Sequence, residues 1–468
     1  MDDLPHFLLL LLILQRFDDA KWGYFTECSQ SGLKVEPTKK LFTVSFVADD
    51  GTGQEITIVF YPDDHEIYLG TTLIGRATSV IGGRKGPSPE TTELGDMGKL
   101  REGNDLAVKI YWPEERRTSE VEILKRAKEY GRKIHFIGNH IPEVVCHRDP
   151  SFLCSSTKTI RQFLGLPTDG SRSLRVIVFG LLRPIKELKE RDMLTAYLQC
   201  FFCTYHGRTD PNALLTDYDT GHYCLWKKGI QHGDVSLGNM MWDDRRKVGI
   251  LNDFDLSKFA DQKGQSGQDN TGTLPFMALD LLSEEGLRGE IPRLYRHEAE
   301  SFAWSLICLC LSTVEGADGK NYTRDPHPLL KWFQDWSTSH DAKHGLQFRR
   351  HYKPGVPLVH QNTKPLAQAL HEFWLDRYKT QFPRQLSGPK TAEYGQELMQ
   401  VIGHKMSNPI KPPPYKELKD EEVFVSLLAT HVESFPLVET TERGLAVEMS
   451  TAYVMFAWPD DEKDVLVS

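Results

Sequence analysis

Hydrophobic and polar positions change their period once along this chain. In the first third the apolar residues come in short, alternating runs. "LFTVSF" (41–46) and "EITIVFY" (55–61) read as strands joined across the polar "ADDGTGQ". From 67 to 110 strand-like runs alternate with glycine-rich turns and end in "DLAVKIYW" (105–112). "TSEVEILKRAKEYG" (118–131) breaks this rhythm: Ile123, Leu124 and Ala127 share one face of a helix, and Gly131 stands as its C-cap. "SLRVIVFGLL" (173–182) is a buried strand that leads into a Leu-Arg-Pro turn. The helical period then takes over, in "RDMLTAYLQCFFCTYHG", in "DTGHYCLWKKG", and again across 279–404. "NPIKPPPY" (408–415) is a proline-rich break before an acidic tail. Strands with one helix come first and helices afterwards, which predicts an α+β molecule with a β-rich lobe, an α-rich lobe and a ligand cleft between them.

Composition narrows the partners. The 468 residues are 40% hydrophobic and 26% charged with a net charge of −9, which argues against broad electrostatic binding to nucleic acid or to an anionic membrane. The apolar run at 7–14 follows Asp2 and Asp3 rather than basic residues and is far too short to span a bilayer. An intracellular chain is therefore expected. Cys200 and Cys203 have a metal-like spacing, but they sit in an apolar helical pattern with no second pair nearby, and read as buried thiols.

The chemistry concentrates in "HGDVSLGNMMWDDRRKVGILNDFD" (232–255). "NMMW" and "KVGIL" form a hairpin across "DDRR", which returns Asp253 to the neighbourhood of Asn239. An amide oxygen beside a carboxylate is hard-oxygen coordination suited to Mg²⁺ shared with triphosphate oxygens. Asp234, five residues before Asn239, is free to receive a hydroxyl proton. A loop and hairpin without catalytic purpose is the alternative. Lys109 stands inside an apolar strand, where an unpaired ammonium is costly. Glu120 on the following helix is the partner that answers it, with Glu122 as competitor, unless Lys109 merely extends its head from an edge strand to water. "LIGRATSVIGG" (73–83) is a degraded glycine-rich turn, with Gly75, Ala77 and Val80 over phosphates and Ala77 in a glycine's place. "TGTLPFMALDLL" (271–282) leads through a turn into an amphipathic helix and resembles the end of a protein-kinase activation segment, which would shape a platform for a peptide substrate; a plain loop-to-helix junction is the alternative.

These segments, with "AVKIYW", "NDFDLS" and "HEAESFAWSL" in the same order, resemble the eukaryotic protein-kinase superfamily and most closely the fungal-type protein kinase family. The resemblance is strong over roughly 60–310 and looser elsewhere. It implies a bilobal kinase fold: an N-terminal extension at 1–60 packing on the kinase, an N-lobe and hinge at 61–182, a C-lobe at 183–407, and a linker and tail at 408–468. The implied activity is transfer of the γ-phosphoryl of ATP to Ser or Thr hydroxyls of a protein. Lys109 and Glu120 would orient the nucleotide, Asp234 would be the base, and Asn239 and Asp253 would hold Mg²⁺. Gly75, Ala77 and Val80 would cover the phosphates, and Val178, Phe179 and Leu181 would line the hinge that receives adenine. Glu300 would fix the catalytic loop from behind.

Three positions depart from the family pattern. Gly233 replaces the arginine before the base, Ser236 replaces a lysine two residues after it, and Asp255 replaces the glycine after Phe254. The rival readings are a small-molecule kinase of the aminoglycoside or choline type, and a non-catalytic pseudokinase scaffold. With Gly233 in place of an arginine, activity is predicted not to depend on phosphorylation of Thr271 or Thr273. Phosphatase-treated and untreated protein should be equally active, and a large loss on treatment would contradict this.

Overall fold

The computed structural model describes residues 42–47, 55–60, 66–69, 76–85, 106–133, 137–148, 156–202, 221–260, 272–346, 360 and 363–385. The apolar run at 7–14, Gly75, His135, Cys203, Thr271 and the segment from 386 onward, including the proline-rich break and the acidic tail, lie outside these residues.

The β-rich lobe is one antiparallel sheet. Its strands are β1 (Phe42–Val47), β2 (Glu55–Phe60), β3 (Glu66–Leu69), β4 (Ser79–Lys85), β5 (Leu106–Tyr111), β6 (Val144–Arg148) and β7 (Arg175–Gly180). They run in the order β1-β2-β4-β5-β7-β6, with β3 paired to β4. The register places Val80 opposite Lys109, and Lys109 opposite Ile177. Side chains alternate between faces along each strand. Val108, Val176 and Val178 therefore pack on one side with Ile58 and Cys146. Tyr111, Ile177 and Phe179 pack on the other, against Val121, Ile123, Leu124 and Ala127 of the helix Glu120–Lys133. Lys109 is on this second face, two residues from Tyr111, with its Nζ 4.7 Å from the ring centroid.

That helix has the expected buried face. It runs through Gly131 to Lys133 rather than ending at a C-cap there, so Gly131 is an interior position and does not terminate the helix. Glu120 lies on the same face as Ile123, Leu124 and Ala127, since i, i+3, i+4 and i+7 align along a helix. The carboxylate thus points inward by geometry alone.

The helical lobe is built on the helix Tyr295–Ser312, buried along almost its whole length. It packs with the helix Glu190–Phe202 and with Leu366, Leu370 and Trp374 from the helix Lys364–Gln385. Cys200, Cys308 and Cys310 are free thiols in this core. From "WFQDW", Trp332 enters the core and meets Trp304 edge-on at 5.3 Å, whereas Phe333 and Trp336 are partly exposed. Among the described residues no helix is long and apolar enough to cross a membrane.

After β8 (Arg183–Pro184) and β9 (Ile230–Gln231), the chain forms the hairpin that the sequence predicts. β10 (Met240–Asp243) pairs with β11 (Val248–Leu251), and Met240 faces Leu251. Its turn is capped by Asp243, whose Oδ1 accepts the Arg245 and Arg246 amides at 2.9 and 3.1 Å. Gly249 lets the hairpin lie directly on the helix Glu190–Phe202, because a Cβ there would sit 2.3 Å from the Ala196 carbonyl oxygen. Two backbones this close cannot relax by rotating a side chain. Gly249→Ala is predicted to lower stability by about 1–3 kcal/mol, the usual cost of overpacking, read as the shift of the urea midpoint.

Candidate active site

Lys109 gathers the site. Its Nζ lies 2.7 Å from Glu120 Oε2 and 2.5 Å from Asp253 Oδ1, and 3.6 Å from Asp255 Oδ2. Burial works against the ammonium, but Asp253, Asp255 and Glu120 hold it protonated well above the ordinary lysine range. The other oxygen of Glu120 is bonded as well, since Oε1 accepts the Phe254 amide at 3.0 Å. One carboxylate thereby joins the strand lysine of the upper lobe to the turn after the hairpin. Glu122 is exposed at the start of the helix and its amide donates to Ser119 Oγ at 3.2 Å.

The hairpin brings Asn239 and Asp253 together. The Asn252 amide donates to the Asn239 carbonyl at 2.7 Å, which extends the ladder by one step. Asp253 then turns into the left-handed region, at φ 65° and ψ 71°. Burial raises its carboxyl, but Lys109 and Arg76 pull it down to about 2, so it is ionised. Asn239 Nδ2 donates to the Asp234 carbonyl at 2.8 Å and reaches Asp234 Oδ2 at 3.4 Å. With the amide nitrogen used in this way, Asn239 Oδ1 and the Asp253 carboxylate form an all-oxygen pair of the kind that suits Mg²⁺.

Asp234 is buried. Burial and the charge of Asp253 raise its carboxyl, against two hydrogen bonds from Thr273. Its Oδ1 accepts both the Thr273 amide at 2.7 Å and the Thr273 hydroxyl at 2.8 Å. The segment that begins at Gly272 is therefore bonded to the candidate base itself.

The loop around Asp234 hangs on a buried carboxylate, and here the sequence expectation is corrected. Glu298, not Glu300, lies behind the loop: it accepts the Gly233 amide at 2.9 Å and the His232 amide at 3.4 Å, and pairs with His222 Nε2 at 2.9 Å. Glu300 serves the platform, accepting the Leu279 amide and the Trp304 indole N–H, both at 2.9 Å. Two residues apart on one helix, they face different segments. Burial pushes His232 down to about 4, so its ring is neutral. Its Nε2 then donates to the Asn252 carbonyl at 3.1 Å and its Nδ1 accepts the Asp234 amide at 3.2 Å. Gly233 has φ +85°, and a Cβ there would lie 2.6 Å from the Leu256 carbonyl oxygen, so no arginine fits this backbone.

Of the remaining expected residues, Ala77 is exposed and adopts φ 45°, a left-handed conformation that favours the glycine it replaces. Val80 is half-buried next to Lys109 across β4 and β5. Phe179 lies on the Lys109 face and Leu181 is half-buried, whereas the Val178 side chain packs on the opposite face of the sheet. Two further participants are Arg76 and Asp255. The Arg76 guanidinium is paired with Asp255 Oδ1, and the Asp255 side chain is 2% exposed. The platform is held at its far end by Asp280 with Arg296 at 2.5 Å, and by Lys343 Nζ, which donates to the Leu274 and Met277 carbonyls at 3.1 and 2.7 Å.

The family model described as fungal protein kinase matches residues 209–310, the segment that holds Asp234, Asn239, Asp253, Thr273 and Glu298. The chain resembles that family over this segment, which is part of an α+β fold with a β-rich sheet first and helices after it. No curated protein matches the chain. Among solved structures, "Structure of vaccinia related kinase 3" is 12% identical at a TM-score of 0.34, covering 76% of this chain and 97% of that one. "ROP18 kinase domain in complex with AMP-PNP and sucrose" is 14% identical at a TM-score of 0.32, covering 70% and 77%.

The Glu298 anchor predicts an acid sensitivity. Burial opposes its charge, but the His222 hydrogen bond and the nearby cations bring its carboxyl down to about 2 from an ordinary 4.5. A carboxyl depressed on folding stabilises the protein above its unfolded value, and that stabilisation is lost as pH falls toward the folded one. The unfolding free energy of the wild type should therefore approach that of Glu298→Gln between about pH 5 and pH 2, by on the order of 3 kcal/mol. Urea titrations of both proteins across this range check it.

Proposed function

We propose that this chain is a Ser/Thr-type protein kinase that uses ATP and Mg²⁺. The observation that carries the reading is the double hydrogen bond from Thr273 to Asp234. A base whose carboxylate is fixed by the platform segment is aligned with whatever lies on that platform, and a platform of this extent suits a peptide better than a small alcohol.

In this reading Lys109, held by Glu120, orients the α- and β-phosphates. The turn around Gly75, Ala77 and Val80 covers them, and Phe179 and Leu181, with the backbone at Val178, receive adenine. Asn239 and Asp253 would hold Mg²⁺, which would supply neutralisation of phosphate charge when bound. The acceptor hydroxyl oxygen attacks the γ-phosphorus, the bond to the β,γ-bridging oxygen breaks, and the hydroxyl proton passes to Asp234. Oδ2 is the oxygen suited to that proton, since Oδ1 already accepts two donors from Thr273. The N-lobe and hinge run to residue 182 and already include β1 and β2, which pair into its sheet, so the boundary expected at 61 moves upstream; the C-lobe begins at 183. The Thr273 hydroxyl is committed to the base, so a phosphate on it would set a dianion against a carboxylate.

The test is Mg²⁺-ATP-dependent transfer by the full chain to itself, to a Ser/Thr peptide library and to aminoglycosides and choline. Peptide labelling is expected, with Asp234→Asn reducing the rate by about 10²–10⁴-fold, the usual worth of a positioned base. Labelling of a small alcohol alone would replace this reading with the small-molecule kinase. An absence of both labelling and nucleotide binding would leave a scaffold.

A further inference from the structure

One of the departures from the family pattern, Asp255, meets Arg76 in space, and together they answer another, Ser236. Ser236 stands where a lysine would add positive charge two residues after the base, and it is buried and uncharged. Lys109 is committed to Glu120 and Asp253 at 2.7 and 2.5 Å. A further guanidinium in this cluster is that of Arg76, brought from the turn before β4 in the upper lobe. It pairs with Asp255, 179 residues further along the chain, and is close enough to Asp253 and Asp234 for both charges to act on it.

The backbone aims this arginine. Its carbonyl accepts the Trp112 amide at 2.7 Å, which fastens it to the end of β5, and the left-handed Ala77 turns the chain directly after it. The Arg76 side chain is 31% exposed, so it lies at the mouth of the site, while Asp255 is sunk beneath it at 2%. Asp255 Oδ2 is buried with no hydrogen-bond donor and has only the 3.6 Å approach of Lys109. A carboxylate buried in this way gains little as a structural ion pair, because desolvation offsets most of the attraction. It is well placed to hold a guanidinium beside the base and the metal-binding turn.

We infer that Arg76 is a further catalytic residue, which places its guanidinium on the γ-phosphoryl group during transfer, and that Asp255 is the positioning residue that presents it. The inference rests on the kinase reading given above and names the source of the charge that Ser236 removes. A planar guanidinium offers paired N–H donors to two phosphoryl oxygens, and its charge is fixed at any working pH. It is worth most where negative charge spreads over those oxygens in the transition state. No covalent bond to Arg76 forms or breaks. Charge on the γ-phosphoryl is the feature that distinguishes ATP from ADP at this position, so Arg76 should affect turnover and ATP binding and leave ADP binding alone.

The experiment compares wild type, Arg76→Met, Arg76→Lys, Asp255→Asn and the Arg76→Met/Asp255→Asn double variant, all as full chains. Peptide kcat and KM are measured together with the affinities for Mg²⁺-ATP and Mg²⁺-ADP. Arg76→Met should lower kcat by about 100-fold, the usual cost of removing one preorganised donor, with Mg²⁺-ADP affinity held within about twofold. Arg76→Lys, which keeps the charge and loses the fork, should recover part of that loss. Asp255→Asn should lower kcat by about tenfold, and the double variant should be no slower than Arg76→Met alone, because both changes act through one guanidinium. An Arg76→Met kcat within about threefold of wild type would overturn the inference, as would equal losses of ADP and ATP affinity, which mark a structural pair. In those cases the wild type still transfers phosphate and the kinase reading survives. If the wild type itself transfers no phosphate and binds no nucleotide, the kinase reading fails and this inference with it.

Discussion

The buried ammonium of Lys109 is the constraint around which this molecule is arranged. A positive charge within a sheet costs several kcal/mol unless it is met at close range. It is met here by carboxylates from three places: the helix Glu120–Lys133, the left-handed turn at Asp253, and Asp255 beyond it. None of these is near Lys109 in sequence except Glu120. Satisfying one lysine therefore fixes the helix against the sheet and the sheet against the lower lobe. Glu120 completes the connection by accepting the Phe254 amide, and Phe254 buries its ring in the cluster that also holds Leu124 and Tyr111. Electrostatic and apolar contacts here specify the same arrangement, which is the condition for a unique structure.

Beneath this, the lower lobe repeats the device with the opposite sign. A carboxylate with no route to water, Glu298, is neutralised by backbone amides and by His222, and the loop carrying Asp234 takes its shape from those bonds. Gly233 follows from the same packing, since its backbone runs too close to Leu256 for any side chain. The absence of an arginine before Asp234 thus has a steric cause in this fold.

Much of this was legible in the sequence. A lysine in an apolar strand followed by a carboxylate on an apolar helical face needs no structure to be paired, and the hairpin between Asn239 and Asp253 was readable from its two strands and polar turn. What escaped did so for identifiable reasons. Glu298 and Glu300 are two residues apart on a wholly buried helix, and no periodic polarity says which one faces the loop. Val178 belongs to an unbroken apolar run, so its face is set only by the register with β5. Asp255 reads as an irregularity within a motif and nothing in the pattern marks Arg76, and only the closing of the two lobes joins them. The segments at both ends of the chain lie outside the described residues.

The contact between Gly180 and Arg245 bears on how the two lobes can move. A Cβ at Gly180 would lie 2.8 Å from the Arg245 guanidinium, so the tip of the hairpin turn rests against the end of β7. Just beyond, Arg183 and Pro184 are paired with Trp242 and Met241 and already belong to the lower lobe. The swivel between the lobes is thereby reduced to Leu181 and Leu182. A backbone connection this short leaves few torsions about which the two lobes could reorient once the contacts at Lys109 are released. Any rotation at these two residues would be magnified along the sheet and be largest at its far edge, so the reach of the cleft's rim is tied to two torsion pairs at its root.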